Sequence, residues 1–122
     1  MQVHDLMTYL ETELASSLYL SSGFSTTRAW VEHSDQVKAL VRLLQADPTL
    51  IPVVVERIKQ LASDGGDPMY THQHDNKLTI YAYVIAYSGF AENVPVLLHI
   101  RRAVNLFWAR RMTQYLLYEV KA

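Results

Sequence analysis

Apolar residues recur along this chain at steps of three and four. Leu6, Leu10, Leu14 and Leu18 stand four apart, widened by Val3 and Met7, with Thr8, Glu11, Thr12 and Ser16 on the other side. That spacing gathers the apolar side chains on one face of a helix over 3–21. Ser21-Ser22-Gly23 stops it, and Ser25, Thr26 and Thr27 offer N-caps for a second helix containing Trp30 and Val31, interrupted at His33-Ser34-Asp35. From Val37 the series Val37, Leu40, Val41, Leu44 resumes helical spacing as far as Asp47-Pro48. There Asp suits an N-cap and Pro the first turn of a third helix, with Val54, Val55, Ile58 and Leu61 inward.

Ser63-Asp64-Gly65-Gly66-Asp67-Pro68 is the strongest loop signal, and the polar run Thr71 to Asn76 extends the predicted loop over 63–76. In the next stretch, Leu78 to Tyr87, only Thr79 is polar, so it reads as an element buried on nearly every side. Its β-branched and aromatic content also suits a strand. Ser88-Gly89 ends it, and Asn93-Val94-Pro95 opens a stretch in which Leu97, Ile100, Val104, Phe107, Trp108, Met112 and Tyr115 recur at helical steps. No Gly or Pro separates Pro95 from Val120, so this is one long helix or two bent near Asn105.

Composition narrows the class. With 122 residues, half of them apolar, and only four Gly and four Pro, the chain is one domain's worth of core-forming sequence. The absence of Cys excludes a disulfide framework, an Fe–S cluster, a thiolate zinc site and a Cys nucleophile. No basic n-region with an apolar h-region and no run of about eighteen apolar residues occurs, so a cytoplasmic protein without a membrane span is expected. The net charge of −1 hides a gradient: residues 1–35 balance to −4 and residues 94–122 to +4. Opposite ends of this kind attract within one molecule or between two copies.

Shifting the chain against itself by 43 residues places Ala39 on Ala82, Val41 on Val84, Pro52 on Pro95 and Val53 on Val96. Apolar positions follow, among them Val37 on Ile80 and Val54 on Leu97. The junction Asp47-Pro48-Thr49-Leu50-Ile51-Pro52, its looser copy from Ser88 to Leu97, and the acidic, apolar and basic order of Asp35, Val37 and Lys38 resemble bacterial HEAT-like repeats over about residues 35–112. The resemblance implies stacked helix pairs, a binding role, and helix rather than strand for Leu78 to Tyr87.

Candidate chemistry is sparse. His72, His74 and Asp75 form the best metal-ligand group, since imidazole with carboxylate suits zinc or a late first-row metal. They lack a further ligand at a recognisable spacing, which favours His72 and His74 as solvated loop or capping residues, with Asp75 or Asn76 capping the helix that follows. Glu11 and Glu13 read as the solvated side of the first helix. No nucleophile-elbow, Walker or Rossmann glycine pattern is present. Arg101, Arg102, Arg110 and Arg111 flank Phe107 and Trp108, but nine residues of continuous helix turn through about 900°, which sets Arg101 and Arg110 on opposite sides. With a pI near 6.5 as well, nucleic acid is not the expected partner, and pairing of these arginines with the acidic N-terminal helix is expected.

Eight Tyr are the least ordinary part of the composition. Tyr81, Tyr83, Tyr87, Trp108, Tyr115 and Tyr118, with Arg101 and Arg102, are the interface candidates, because a buried phenol needs a partner and aromatic rings gather at contacts. The sequence thus predicts an all-α domain over 1–122, with five or six helices stacked as HEAT-like antiparallel pairs. The N-terminal helix spans 3–21, the pairs about 35–62 and 76–103, and a C-terminal helix runs to 120. The expected role is a small protein-binding or scaffold module, not an enzyme, without cofactor, that self-associates as a homodimer. The rivals are a metal-binding protein or enzyme built on the 63–76 loop, and an immunity- or antitoxin-like partner protein.

Overall fold

The computed structural model describes residues 2–17, 29, 31–64 and 71–121. All regular structure among them is helical. Helix α1 (Val3–Tyr9) continues into a π-helical stretch (Leu10–Leu14) and a final α-turn (Ala15–Ser17). Helix α2 spans Asp35–Ala46, and a 3₁₀ turn (Pro48–Leu50) leads into α3 (Ile51–Asp64). Then come α4 (Thr71–Tyr87), α5 (Asn93–Ala103) and α6 (Phe107–Lys121). No helix among the described residues is long and apolar enough to cross a membrane. Leu18, the caps proposed at Ser25–Thr27, Trp30 and the Gly65-Gly66 pair lie outside the described residues.

Most boundaries follow local chemistry. Ser34 interrupts the chain as expected: its hydroxyl accepts from the Val37 N–H at 3.3 Å and starts α2. The Asp47 carboxylate accepts the Thr49 N–H at 3.2 Å and the Thr49 hydroxyl, with Pro48 at the first helical position. Gly89 ends α4 at φ +80°, a left-handed conformation natural to a residue without Cβ. Ser88 supports that turn, donating to the Ile85 carbonyl at 3.0 Å and accepting from the Phe90 N–H at 3.3 Å.

The predicted loop over 63–76 is corrected at its second half, because Thr71 to Asn76 are the first turns of α4. The polarity of that run serves hydrogen bonds between helices and not solvation. His74, Asp75 and Asn76 are all buried. His74 reaches the Leu61 carbonyl of α3, Asp75 the backbone before α6, and Asn76 donates to the Ala15 carbonyl at 2.9 Å. Buried polar groups matched in this way avoid the cost of an unmade bond.

Helix α4 is the centre of the fold. It packs against the Ala15–Ser17 turn, α2, α3, α5 and α6. Leu78, Ile80, Tyr81, Ala82, Val84 and Ile85 are fully enclosed, and Thr79 returns its hydroxyl to the Asp75 carbonyl at 2.7 Å. A helix apolar all round is stable only when surrounded. The outer helices each contribute one stripe: Val37, Leu40 and Leu44 from α2; Ile51, Val54, Ile58 and Leu61 from α3; Leu97 and Ile100 from α5. Val55, expected inward, is only partly buried at the edge of the α3 stripe. In α6 the buried face is Ala109, Met112, Thr113, Leu116 and Leu117, while Phe107 and Tyr115, which recur in the same helical spacing, are exposed. Helices α2 and α3 each lie against α4, and α4 and α5 lie against each other.

Candidate functional site

Three clusters of polar side chains bear on function. The first joins the π-helical stretch to α3 and α4. Glu11, only 12% exposed, receives Arg57 Nε at 3.1 and 3.0 Å on its two oxygens, Arg57 Nη2 at 2.6 Å, and the Tyr81 hydroxyl at 2.6 Å. Burial works to raise the Glu11 pKa, but the hydrogen bonds from Arg57 and Tyr81 and the Arg57 charge outweigh it and hold the carboxyl below its ordinary value. Burial first, then donation to Glu11, push the Tyr81 phenol well above its usual value. Such a phenol stays protonated, so this cluster is a tie between helices and a poor source of base or nucleophile. Two expectations are corrected by it. Glu11 is not on a solvated face, and Tyr81 is a core residue and not an interface residue.

The second cluster is the His74–Asp75 pair. His74 Nε2 lies 2.8 Å from the Leu61 carbonyl, which only accepts, so Nε2 carries a proton. Nδ1 lies 3.1 Å from Asp75 Oδ1, and Asp75 Oδ2 accepts the N–H groups of Asn105 at 2.8 Å and Leu106 at 2.6 Å. Both ring nitrogens are therefore engaged. The expectation of a solvated His74, with Asp75 capping its own helix, is corrected: Asp75 holds the backbone that leads into α6, accepting from Asn105 and Leu106, where an anion also meets the positive end of the helix dipole. The His72 side chain lies outside the described residues. No group of three or more His, Asp or Glu placed to hold a metal ion occurs among the described residues.

The third cluster is a surface groove of about 850 Å³ where α5 meets α6. Helix α5 stops at Ala103, Val104 turns extended, and α6 starts at Phe107 running back along α5. That reversal brings Arg101 and Arg102 to the same groove as Arg110 and Arg111. The expectation that Arg101 and Arg110 face opposite sides held for a continuous helix, and the break at 104–106 overturns it. Two of the four guanidiniums are positioned: Arg101 Nη1 donates to Gln114 Oε1, and Arg110 Nε donates to the Val104 carbonyl at 3.0 Å. None of the four forms an ion pair with a described residue. The expected partnership with the acidic N-terminal helix is therefore corrected, since Arg57 of α3 takes that place. Apart from Gln114 the remaining lining is aromatic, with Phe107 77%, Tyr118 66% and Tyr115 44% exposed.

The predicted interface set thus divides. Arg101, Arg102, Tyr115 and Tyr118 come together in the groove. Tyr83 and Tyr87 do not line it; their rings lie 4.6 Å apart, and the Tyr87 hydroxyl donates to Glu119. Trp108 is half-buried beside the core, its indole N–H enclosed with no acceptor among the described residues. Phe107, Gln114, Arg110 and Arg111 belong to the groove, though sequence spacing did not place them there. Comparison of the chain with protein-family models, with curated proteins and with solved structures finds no match in any of the three.

Proposed function

We propose that the chain is a small, non-enzymatic protein-binding module and that the α5–α6 groove is its docking surface. One observation carries the reading: four arginines that form no ion pair with a described residue and three exposed aromatic rings share a single depression. Arg and the large aromatic residues dominate the binding energy of protein interfaces, the rings through buried area and the guanidiniums through forked hydrogen bonds. Exposed rings such as Phe107 and Tyr118 contribute little to the fold, so a contact surface gives them a physical use. The two buried polar clusters support the same reading, because each is consumed in joining helices. The helical-repeat resemblance fits it too, since such stacks serve as scaffolds.

The test is site-specific photo-crosslinking in cells of the native host. A photoreactive residue at Phe107 or Tyr118 is expected to capture a discrete protein, whereas one at Glu56, exposed on α3, is not. Capture from position 107 should vanish when Arg102→Gln and Arg111→Gln are introduced. Folded protein that crosslinks equally from 107 and 56, or from neither, refutes the docking site.

A further inference from the structure

Resting on that reading, we infer that the partner presents an acidic segment to the groove, its carboxylates held by Arg101, Arg102, Arg110 and Arg111 and an apolar side chain laid against Phe107 and Tyr118. Charge complementarity selects the occupant. The lining contains no carboxylate, and no described residue supplies an ion-pair partner to any of the four guanidiniums. An acidic partner provides the countercharge that the described residues do not.

The residue type points the same way. Every cation in the lining is Arg and none is Lys. A guanidinium offers a planar fork that binds both oxygens of a carboxylate, and its weaker hydration lowers the cost of entering an interface. Arg101 is held by Gln114 and Arg110 by the Val104 carbonyl, so part of the ordering cost is met before the partner arrives.

Two other occupants fit less well. A two-fold contact between copies centred on this groove would set four guanidiniums against four more, with no carboxylate in the lining to relieve them. A nucleic-acid strand would extend beyond the groove over a chain whose net charge is −1 and whose first 35 residues balance to −4. Long-range steering of a polyanion needs the opposite.

Fluorescence anisotropy with three labelled probes separates these cases: a short Glu-rich peptide bearing Leu and Tyr, the same peptide with Gln for every Glu, and a single-stranded oligonucleotide of similar length. The Glu-rich peptide should bind, and the Gln peptide should bind about tenfold more weakly or not at all. Arg102→Gln with Arg111→Gln should reduce affinity for the Glu-rich peptide about tenfold or more, with thermal unfolding unchanged, since both side chains are exposed. Equal binding of the two peptides overturns the acidic partner and leaves a protein-docking groove. Tighter binding of the oligonucleotide than of either peptide overturns both. Failure of every probe rejects the acidic segment, while the crosslinking result still judges the docking site. Sedimentation equilibrium runs alongside, and a dimer dissolved by the same double substitution makes a second copy the occupant and overturns the proposal.

Discussion

Asp75→Ala is the sharpest probe of how the fold makes its surface. The side chain is fully buried and touches three groups: the N–H of Asn105 at 2.8 Å, the N–H of Leu106 at 2.6 Å and His74 Nδ1 at 3.1 Å. Alanine leaves all three without this acceptor. Loss of a helix N-cap costs about 0.5–2 kcal/mol, and a buried donor stripped of its partner about 1–3 kcal/mol. Release from burying a carboxylate offsets part of this, so the net destabilisation should be about 3 kcal/mol. With an unfolding entropy near 2.1 cal/mol/K per residue over 122 residues, that corresponds to a fall in Tm of roughly 12 °C.

Asp75→Asn divides the effect. The amide oxygen still accepts the two backbone N–H groups, and only the contact with His74 changes, so the loss should be about 1 kcal/mol. Urea and thermal unfolding of the two variants, with amide exchange at Asn105 and Leu106 as a local readout, give the comparison. An alanine variant within about 0.5 kcal/mol of the native protein would refute this tie as a structural element. An asparagine variant as unstable as the alanine one would show that charge, and not acceptor geometry, carries the tie.

Glu11 supplies a pH dependence. Its carboxyl is held below the ordinary value in the folded state, so its contribution is present above the unfolded pKa and is lost as pH falls through the folded one. Urea midpoints should drop on the acid side, and Glu11→Gln should flatten that limb while lowering stability at neutral pH. Tyr81→Phe removes the hydroxyl that donates to Glu11 at 2.6 Å and should cost about 1–3 kcal/mol by thermal unfolding. Phe107→Ala, at a side chain 77% exposed, should leave stability within about 0.5 kcal/mol while abolishing capture by a photoreactive residue at Tyr118. Gly89→Ala places a Cβ at φ +80° with open space around it, so only backbone strain acts, and a loss of about 1 kcal/mol is expected.

Helices that bury one stripe were legible because their periodicity and their stops are local. The Val37–Leu44 and Ile51–Leu61 patterns, the Asp47-Pro48 start and the Gly89 stop need no tertiary information. The start of α4 was hidden for the opposite reason. In sequence, Thr71-His72-Gln73-His74-Asp75-Asn76 has the polarity of a solvated loop, and only the positions of Leu61, Asn105 and Ala15 in space show what three of those side chains bond to. The same limit hid Tyr81, whose hydroxyl meets a carboxylate 70 residues away. Residue types at the candidate groove were visible as arginine pairs and aromatics, but their union depended on a break with neither Gly nor Pro to announce it.

That break has a physical origin in the same buried residue. Val104-Asn105-Leu106 carries no strong helix breaker, so a straight helix from Pro95 to Val120 would satisfy the backbone groups of this stretch without outside help. Interrupting it leaves carbonyls at the end of α5 and N–H groups at the start of α6 to be matched. Asp75, 30 positions before Asn105, takes the N–H groups of Asn105 and Leu106 within the break, and Arg110 takes the Val104 carbonyl. Burial of Val104 then rewards the turn. Arg101 and Arg102 stand in the last turn of α5, where the helix dipole favours cations without any carboxylate beside them. The dipole of α5 thus favours Arg101 and Arg102, and the Val104 carbonyl holds Arg110, so three of the four guanidiniums at this corner are accommodated by the backbone. A substitution at Asp75 should accordingly weaken binding of the acidic probe as well as the fold, although Asp75 does not line the groove.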